Sequence, residues 1–174
     1  YEAELRDLVE TSTDEVRRLD HIVDQFLKAI RPSKPQLEPT DVNELIKESM
    51  RFLEPEIKDR GLNLTLELRS ALPALELDPD QIKQAFYNIV KNSIQATPES
   101  GKITVKTDLS DNHILVTFND TGEGISAENL STVFQPYFTT KKSGTGLGLL
   151  IIRRIIREHG GDIKISSEEG FGTS

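Results

Sequence analysis

The sequence contains no cysteine, few aromatic residues and no long hydrophobic run. The missing cysteines exclude disulfides, thiolate nucleophiles and zinc sites built on cysteine. The longest apolar stretch, residues 147–152, is far too short to span a bilayer, and no signal peptide opens the chain. Basic residues are outnumbered by acidic ones, 21 to 29. The formal net charge is −8, which argues against general affinity for nucleic acid.

The length of 174 residues suits one domain of ordinary size with a short appendage. A chain this long buries roughly 70% of the surface that it exposes when unfolded, so it can build a core without covalent staples.

Residues 1–30 have the pattern of one long amphipathic helix. Its apolar residues recur at alternating spacings of four and three, broken only at Ser12; they are Leu5, Val9, Val16, Leu19, Val23, Phe26 and Ile30. That period is typical of a coiled-coil or bundle seam, which needs a partner helix, and a second copy of the chain would supply one. Alternatively, the stripe packs on the rest of the same domain. We interpret residues 1–31 as one helix of a helical bundle, so that this sequence contains only part of the bundle.

Three prolines in residues 32–40 predict a linker, and the remainder, 41–174, predicts one compact domain. Asp41 and Asp78 are predicted to cap its first two helices. The predicted helices are 41–60, 79–97 and 146–159, with a weak helix after Ser126; the predicted strands are 62–69, 74–77, 102–109, 113–119 and 162–167, with one more after the turn at 168–172. This order predicts an α+β fold, a two-layer α/β sandwich whose mixed sheet packs on three helices.

Two asparagines are the first feature with possible chemistry. Asn88 and Asn92 lie four residues apart on a predicted helix and therefore share a face. Pairs of helix amides are usually surface residues. However, a Mg²⁺ ion already held by triphosphate oxygens needs only one or two neutral oxygen ligands from protein, and an amide carbonyl suits that need.

The second feature is the stretch Asn-Asp-Thr-Gly-Glu-Gly-Ile at 119–125, directly after an apolar strand. One interpretation is a loop whose glycines supply positive φ. The other is a loop that recognises a base. The carboxylate of Asp120 would accept a hydrogen bond from an exocyclic amine, which adenine offers, whereas guanine presents a carbonyl oxygen at that edge. Gly122 and Gly124 would let the backbone approach the purine.

The third feature is the stretch Gly-Thr-Gly-Leu-Gly-Leu at 144–149, which leads straight into a predicted helix. Glycines before a helix let backbone N–H groups and the positive helix end meet phosphate. The spacing matches neither the dinucleotide pattern nor a Walker loop. The preceding segment, 134–143, carries aromatic anchors and two lysines, a composition that suits a lid over phosphates.

In this order and spacing, these stretches resemble the N box, first glycine box, F box and second glycine box of the histidine-kinase branch of the Bergerat-fold (GHKL) ATPases. The run Gly170-Phe171-Gly172-Thr173 resembles the family's last glycine turn. The resemblance covers about residues 41–174. Residues 1–31 resemble the second helix of the family's dimerisation and phosphotransfer bundle. The linker that begins Arg31-Pro32 and the run 92–96 are most similar to the nitrogen-regulatory type of sensor kinase.

The resemblance implies ATP and Mg²⁺ as cofactors and gives residues their roles. It implies that Asn92 binds Mg²⁺, and that Asn88 and Lys91 face the phosphates. Asp120 would bind the adenine amine. The base pocket would be shaped by Gly122, Gly124 and Ile125. The segment 126–143 would be a mobile lid in which Lys141 approaches the terminal phosphate. The remaining implied ATP-binding residues are Thr139, Thr140, Gly144, Thr145, Gly146, Leu147, Gly148 and Leu149.

The resemblance also implies a sensor histidine kinase. In the whole protein, the γ-phosphoryl group of ATP would pass to a histidine and then to an aspartate of a response-regulator receiver domain. The implied partners are the phosphoacceptor helix, the receiver domain and a second copy in a homodimer, with no nucleic acid. We expect this region to be cytoplasmic, and leave open whether the whole protein is cytoplasmic or anchored in the inner membrane.

The family's nucleophile, a histidine on the first bundle helix, is missing from this sequence. Each of His21, His113 and His159 has a structural explanation, so we expect the chain to bind nucleotide without phosphorylating itself. Three alternatives stay open: a Bergerat-fold ATPase such as DNA gyrase or a mismatch-repair protein, a non-catalytic dimerisation module, and a serine-directed relative. The ATPases place a glutamate where this sequence has Asn88.

Overall fold

The computed structural model describes residues 34–139 and 146–174. The predicted bundle helix at 1–31, with His21, and the stretch 140–145 of the predicted lid lie outside the described residues. The predictions for Thr140, Lys141, Gly144 and Thr145 therefore remain predictions. Among the described residues, no helix combines the length and the hydropathy that a membrane span requires.

Four helices form where the sequence predicts them: α1 (Val42–Asp59), α2 (Pro79–Ala96), α3 (Ala127–Leu130) and α4 (Gly148–Glu158). The first two begin at the predicted caps. The side chain of Asp41 accepts bonds from the backbone N–H groups of Asn43 and Glu44, and Asp78 does the same for Asp80 and Gln81. These carboxylates satisfy amides that have no partner inside the helix, so they fix where each helix starts.

The strands form two sheets. The larger has the order β2 (Asn63–Leu68), β4 (Lys102–Ser110), β5 (His113–Asp120), β7 (Gly172–Thr173) and β6 (Ser167–Glu168). β2 runs parallel to β4 and the other pairs are antiparallel, so the sheet is mixed as predicted. The smaller sheet pairs β1 (Glu38–Thr40) with β3 (Leu75–Leu77).

The core lies between the larger sheet and the helices α1, α2 and α4. Alternate residues of the strands face it, for example Ile103 and Val105 of β4, which are fully buried. The rings of Phe86 in α2 and Phe118 in β5 join the two layers, with centroids 5.4 Å apart. The α+β sandwich predicted from the sequence is therefore confirmed.

Two predicted boundaries are wrong. Residues 38–40, assigned to the linker, form β1. Pro39 is tolerated there because an edge strand does not need its missing N–H group. The strand predicted at 162–167 is shorter, since only Ser167 and Glu168 belong to β6. Ser166 still exchanges two backbone hydrogen bonds with Ser174.

His159 ties the end of α4 to the start of α2. Its Nδ1–H donates to the carbonyl oxygen of Ile155 at 2.7 Å, and its Nε2 accepts the backbone N–H of Asp78 at 3.0 Å. The structural roles expected for His159 and His113 agree with these contacts, since His113 bonds the carbonyl oxygen of Asp111.

Candidate functional site

Asp120 is a buried carboxylate at the end of β5, with 9% of its surface exposed. Its Oδ1 accepts the backbone N–H groups of Gly122 (3.0 Å) and Thr173 (3.2 Å), and its Oδ2 accepts the hydroxyl of Ser93 (2.9 Å). All three donors are neutral. Within residues 34–139 and 146–174, no ion pair involves Asp120. Neutral hydrogen-bond donors therefore orient the Asp120 carboxylate, and no cationic side chain among these residues neutralises its negative charge.

The loop after Asp120 is fastened on both sides by backbone hydrogen bonds. Glu123 donates its N–H to the carbonyl of Ala96, at the end of α2, and accepts the N–H of Gly170 at 2.7 Å. The N–H of Ile125 donates to Ser167 Oγ at 2.8 Å. Rigidity of this kind suits a base-binding loop, because little conformational freedom is lost on binding.

The two glycines of this loop are required by the protein's own backbone. A Cβ on Gly122 would stand 2.8 Å from the carbonyl oxygen of Ala96. Gly124 has φ +70°, and its Cβ would overlap the carbonyl oxygen of Glu168. The positive φ expected from the simpler interpretation is thus present at Gly124. The predicted approach of these glycines to a purine stays a prediction.

Asn88 and Asn92 are half-buried residues of α2, with helical spacing as predicted. The Nδ2 atom of Asn88 is buried and has no hydrogen-bond partner among the described residues. Such a group costs free energy unless something binds it, so it is suited to a phosphate oxygen. Lys91, predicted to face the phosphates, donates to the Tyr87 hydroxyl at 3.1 Å in this structure.

The start of α4 has the features of an anion site. Its N-cap residue, Leu147, makes no side-chain capping bond, and the first turn contains no acidic residue. At Gly148, an added Cβ would meet no atom of the described residues within 4 Å, so these residues leave open space at this helix end. The first N–H groups of a helix, together with the positive end of the helix dipole, attract phosphate. Leu149 follows as the second residue of the helix.

The contact between His159, at the C-terminus of α4, and Asp78, before α2, sets how the two helices lie against each other. Because the C-terminus of α4 meets the N-terminus of α2 and the two helices pack together, they run antiparallel. The 11 residues of α4 rise about 16 Å, the same rise as from Asp78 to about residue 89. By this rise, α4 extends along α2 to about the middle of that helix, where Asn88 and Asn92 lie, and Ser93 on the same helix reaches Asp120.

A backbone contact that we call the neck, Tyr137 with Gly146, joins the second half of the predicted lid to the residue two positions before α4. The N–H of Tyr137 donates to the carbonyl of Gly146 at 3.1 Å, and a Cβ on Gly146, with φ +66°, would overlap the Tyr137 backbone. Phe134 lies under the guanidinium of Arg153 of α4, 5.1 Å from the ring centroid. Thr139, predicted to bind ATP, is exposed just beyond the neck. The F-box segment is thus joined to the helix proposed to hold phosphate.

The described part of the chain has no group of three or more histidine, cysteine or acidic side chains able to hold a metal ion. The expectation that Asn92 supplies one amide ligand to Mg²⁺ stays a prediction.

Sequence reasoning did not single out Ser93 or the N–H of Thr173, which hold Asp120. Ser93 lies three residues after the buried Val90 and seven after the buried Phe86, on the apolar stripe of α2. A hydroxyl on such a stripe signals a buried partner. The Thr173 contact carries no local signal, because it depends on how β7 pairs with β5.

Comparison with known proteins identifies the family. The family model of histidine kinase-, DNA gyrase B- and HSP90-like ATPases matches residues 77–174. The chain is 34% identical to the sensor histidine kinase ZraS of Escherichia coli K12 over 171 residues, 98% of this chain and 37% of that protein. It thus spans little more than a third of the length of that relative.

Two solved structures share the fold. The nucleotide-free catalytic domain of the histidine kinase ThkA superposes with a TM-score of 0.72 at 34% identity, covering 79% of this chain and 91% of that one. ThkA in complex with the response regulator protein TrrA gives a TM-score of 0.79 at 29% identity, covering 97% and 49%. The chain therefore belongs to the histidine kinase-, DNA gyrase B- and HSP90-like ATPase family, in its sensor histidine kinase branch.

Proposed function

We propose that this chain binds Mg-ATP and that the whole protein transfers the γ-phosphoryl group to a histidine outside this sequence. The observation that carries the proposal is Asp120, a buried carboxylate held by three neutral donors beside the asparagine-bearing helix. The open start of α4, a helix that packs against α2, adds a place for phosphates.

We assign the base to Asp120 and its loop. The carboxylate would accept the exocyclic amine of adenine, while Gly122, Gly124 and Ile125 form the wall around the purine. Guanine would bring a carbonyl oxygen against the carboxylate, and two acceptors repel each other. Because the loop is tied to α2 and to the β6–β7 turn, the base would bind without reshaping it.

We assign the phosphates to α2 and α4. Asn88 would donate its unpaired Nδ2–H to a phosphate oxygen, and backbone N–H groups from Gly144 to Leu149 would hold the rest of the chain. Lys91 would leave the Tyr87 hydroxyl and turn toward the phosphates. Asn92 would be the protein ligand of Mg²⁺, which when bound offsets the charge of the phosphate oxygens.

The lid, residues 126–143, would close from the neck and exclude water. Thr139, Thr140 and Lys141 would then reach the terminal phosphate. Exclusion of water matters because the transferred group should reach the imidazole rather than a water molecule.

Hydrolysis is the competing function, since the family includes ATPases. An ATPase needs a base that takes a proton from the attacking water. The position one turn before Asn92 is Asn88, whose amide cannot take a proton. A neutral imidazole needs no such base, because it already carries a lone pair. This difference favours phosphotransfer to histidine.

We further propose the partners of a sensor kinase: a phosphoacceptor helix, a response-regulator receiver domain and a second copy of the chain. The structure of ThkA with TrrA supports the receiver domain, because it contains a kinase of the same fold at 29% identity bound to a response regulator protein. We place the chain in the cytoplasm, where ATP is available.

Phosphate release separates the two functions. We expect the purified chain to bind Mg-ATP and to release no phosphate above the rate of ATP in buffer. Asp120→Asn should weaken ATP binding, whereas Asp108→Asn, which changes an exposed carboxylate of β4 in the same way, should not. Sustained release of phosphate that Asn88→Ala abolishes would favour a hydrolase instead.

A further inference from the structure

The carboxylate of Asp120 has a limited number of acceptor positions. Two carboxylate oxygens offer about four in total. Oδ1 uses two, for the N–H groups of Gly122 and Thr173, and Oδ2 uses one, for the hydroxyl of Ser93. One acceptor position is left, and it lies on the oxygen that Ser93 holds.

We propose that Ser93 is a positioning residue that sets the base specificity of this site. Its hydroxyl fixes the direction of the remaining Oδ2 acceptor, so that the site takes a base with an exocyclic amine at that point. This rests on the proposed function, because it assumes that Asp120 meets the base of a nucleoside triphosphate.

The direction of the Ser93 hydroxyl is unusual for a helix. Buried hydroxyls in helices commonly bond the carbonyl four residues earlier. Ser49 of α1 does so with Leu45 at 2.7 Å, and Thr97, at the end of α2, does so with Ser93 at 2.7 Å. Ser93 itself is only 6% exposed, yet its hydroxyl leaves the helix and reaches Asp120 across 27 residues of sequence. The bond to Asp120 therefore replaces the local bond.

Because the Ser93 hydroxyl hydrogen is already used in the bond to Asp120, Ser93 also determines which ligand atoms can bind here. While Ser93 Oγ donates to Asp120, its own oxygen can only accept. Both oxygens that an arriving base would meet, Ser93 Oγ and Asp120 Oδ2, are then acceptors. An amine brings protons to both, whereas a carbonyl oxygen brings none. The pair discriminates more strongly than the carboxylate alone.

The experiment compares two nucleotides that differ only in the amine. ATP and purine riboside triphosphate, which has hydrogen in place of the amine, are titrated into the chain with Mg²⁺ by calorimetry. We expect the unmodified chain to prefer ATP about tenfold, equivalent to roughly 1.4 kcal/mol. In Ser93→Ala this preference should fall to about twofold through weaker ATP binding, with the affinity for the analogue unchanged.

Two variants serve as controls. Ser49→Ala removes a buried helix hydroxyl of the same kind, far from Asp120 in the chain, and should keep the tenfold preference. Ser93→Thr keeps a hydroxyl and should restore most of it. If Ser93→Ala does not fold by circular dichroism, Ser93→Cys takes its place, because a thiol of similar size is a weak donor.

Each other outcome removes part of the proposal. Equal losses for both nucleotides in Ser93→Ala would show a general structural role, and an unchanged preference would show no role. Either result overturns the inference and leaves ATP binding standing. If the unmodified chain binds both nucleotides equally, Asp120 does not recognise the exocyclic amine, and the inference is overturned. If it binds neither, the proposed function itself fails.

Discussion

Gly124→Ala tests whether the base loop is held by close backbone packing. Gly124 has φ +70° and its Cβ would overlap the Glu168 carbonyl oxygen, while Gly160 has φ +74° and no atom within 4 Å of the corresponding Cβ. The left-handed conformation destabilises an alanine relative to glycine, whereas the smaller conformational entropy of alanine in the unfolded chain stabilises the folded state. The net loss is roughly 1 kcal/mol in the free energy of unfolding. Forced overlap adds about 1–3 kcal/mol. We therefore expect Gly160→Ala to cost about 1 kcal/mol and Gly124→Ala about 2–4 kcal/mol.

Urea unfolding of both variants, followed by circular dichroism, measures these free energies. In a chain of this size, each kcal/mol also lowers Tm by roughly 2–4 °C. Gly124→Ala should additionally weaken ATP binding, because Glu168 ends β6, and the strand that pairs with β6 donates the N–H of Thr173 to Asp120. The two glycines have nearly the same φ and differ only in whether an added Cβ would overlap the backbone. Equal losses in the free energy of unfolding for the two variants would therefore refute the reasoning.

Three further substitutions test other parts of the account. Asp78→Ala should cost about 1 kcal/mol at pH 7 through loss of the cap. Burial raises the pKa of Asp78, but the backbone N–H groups of Gln36, Gln81 and Asp80 outweigh this and hold the pKa below 3.8, so the cost, measured by urea unfolding, should shrink as pH falls below about 4. Gly148→Ala should leave Tm unchanged or higher, because its Cβ has room, yet weaken ATP binding in calorimetry by filling the phosphate space; unchanged affinity would contradict that site. Gly146→Ala should open the neck and speed trypsin cleavage after Lys141 and Lys142, and an unchanged cleavage rate would count against the neck.

Most elements of the fold could be predicted because their signals are local. Asp41 and Asp78 mark helix starts through bonds to amides two and three residues away, and β4 and β5 alternate along a buried sheet face. The wrong predictions concern segments whose secondary structure depends on a strand that is distant in sequence. Whether 38–40 forms a strand depends on β3, more than thirty residues later. The position of β6 depends in the same way on its pairing with β7.

The residues proposed for the site could be singled out from the sequence, but their contacts could not. Asp120, Asn88 and the glycines stand out by type and spacing, and the structure places Asp120 against α2. The reason for the glycines was only partly visible, because Ala96 and Glu168, which exclude a Cβ at Gly122 and Gly124, are distant in sequence. Likewise, nothing near His159 in the sequence shows that Asp78 needs it as an acceptor.

Nucleotide binding is the central claim, and calorimetric titration of the purified chain tests it most directly. ATP is titrated with and without Mg²⁺, with GTP as the control. We predict saturable binding at one site for ATP, stronger with Mg²⁺, and no saturation with GTP over the same range, because Asp120 accepts an amine and repels a carbonyl. No heat at millimolar ATP in the presence of Mg²⁺, or equal binding of ATP and GTP, would contradict the account.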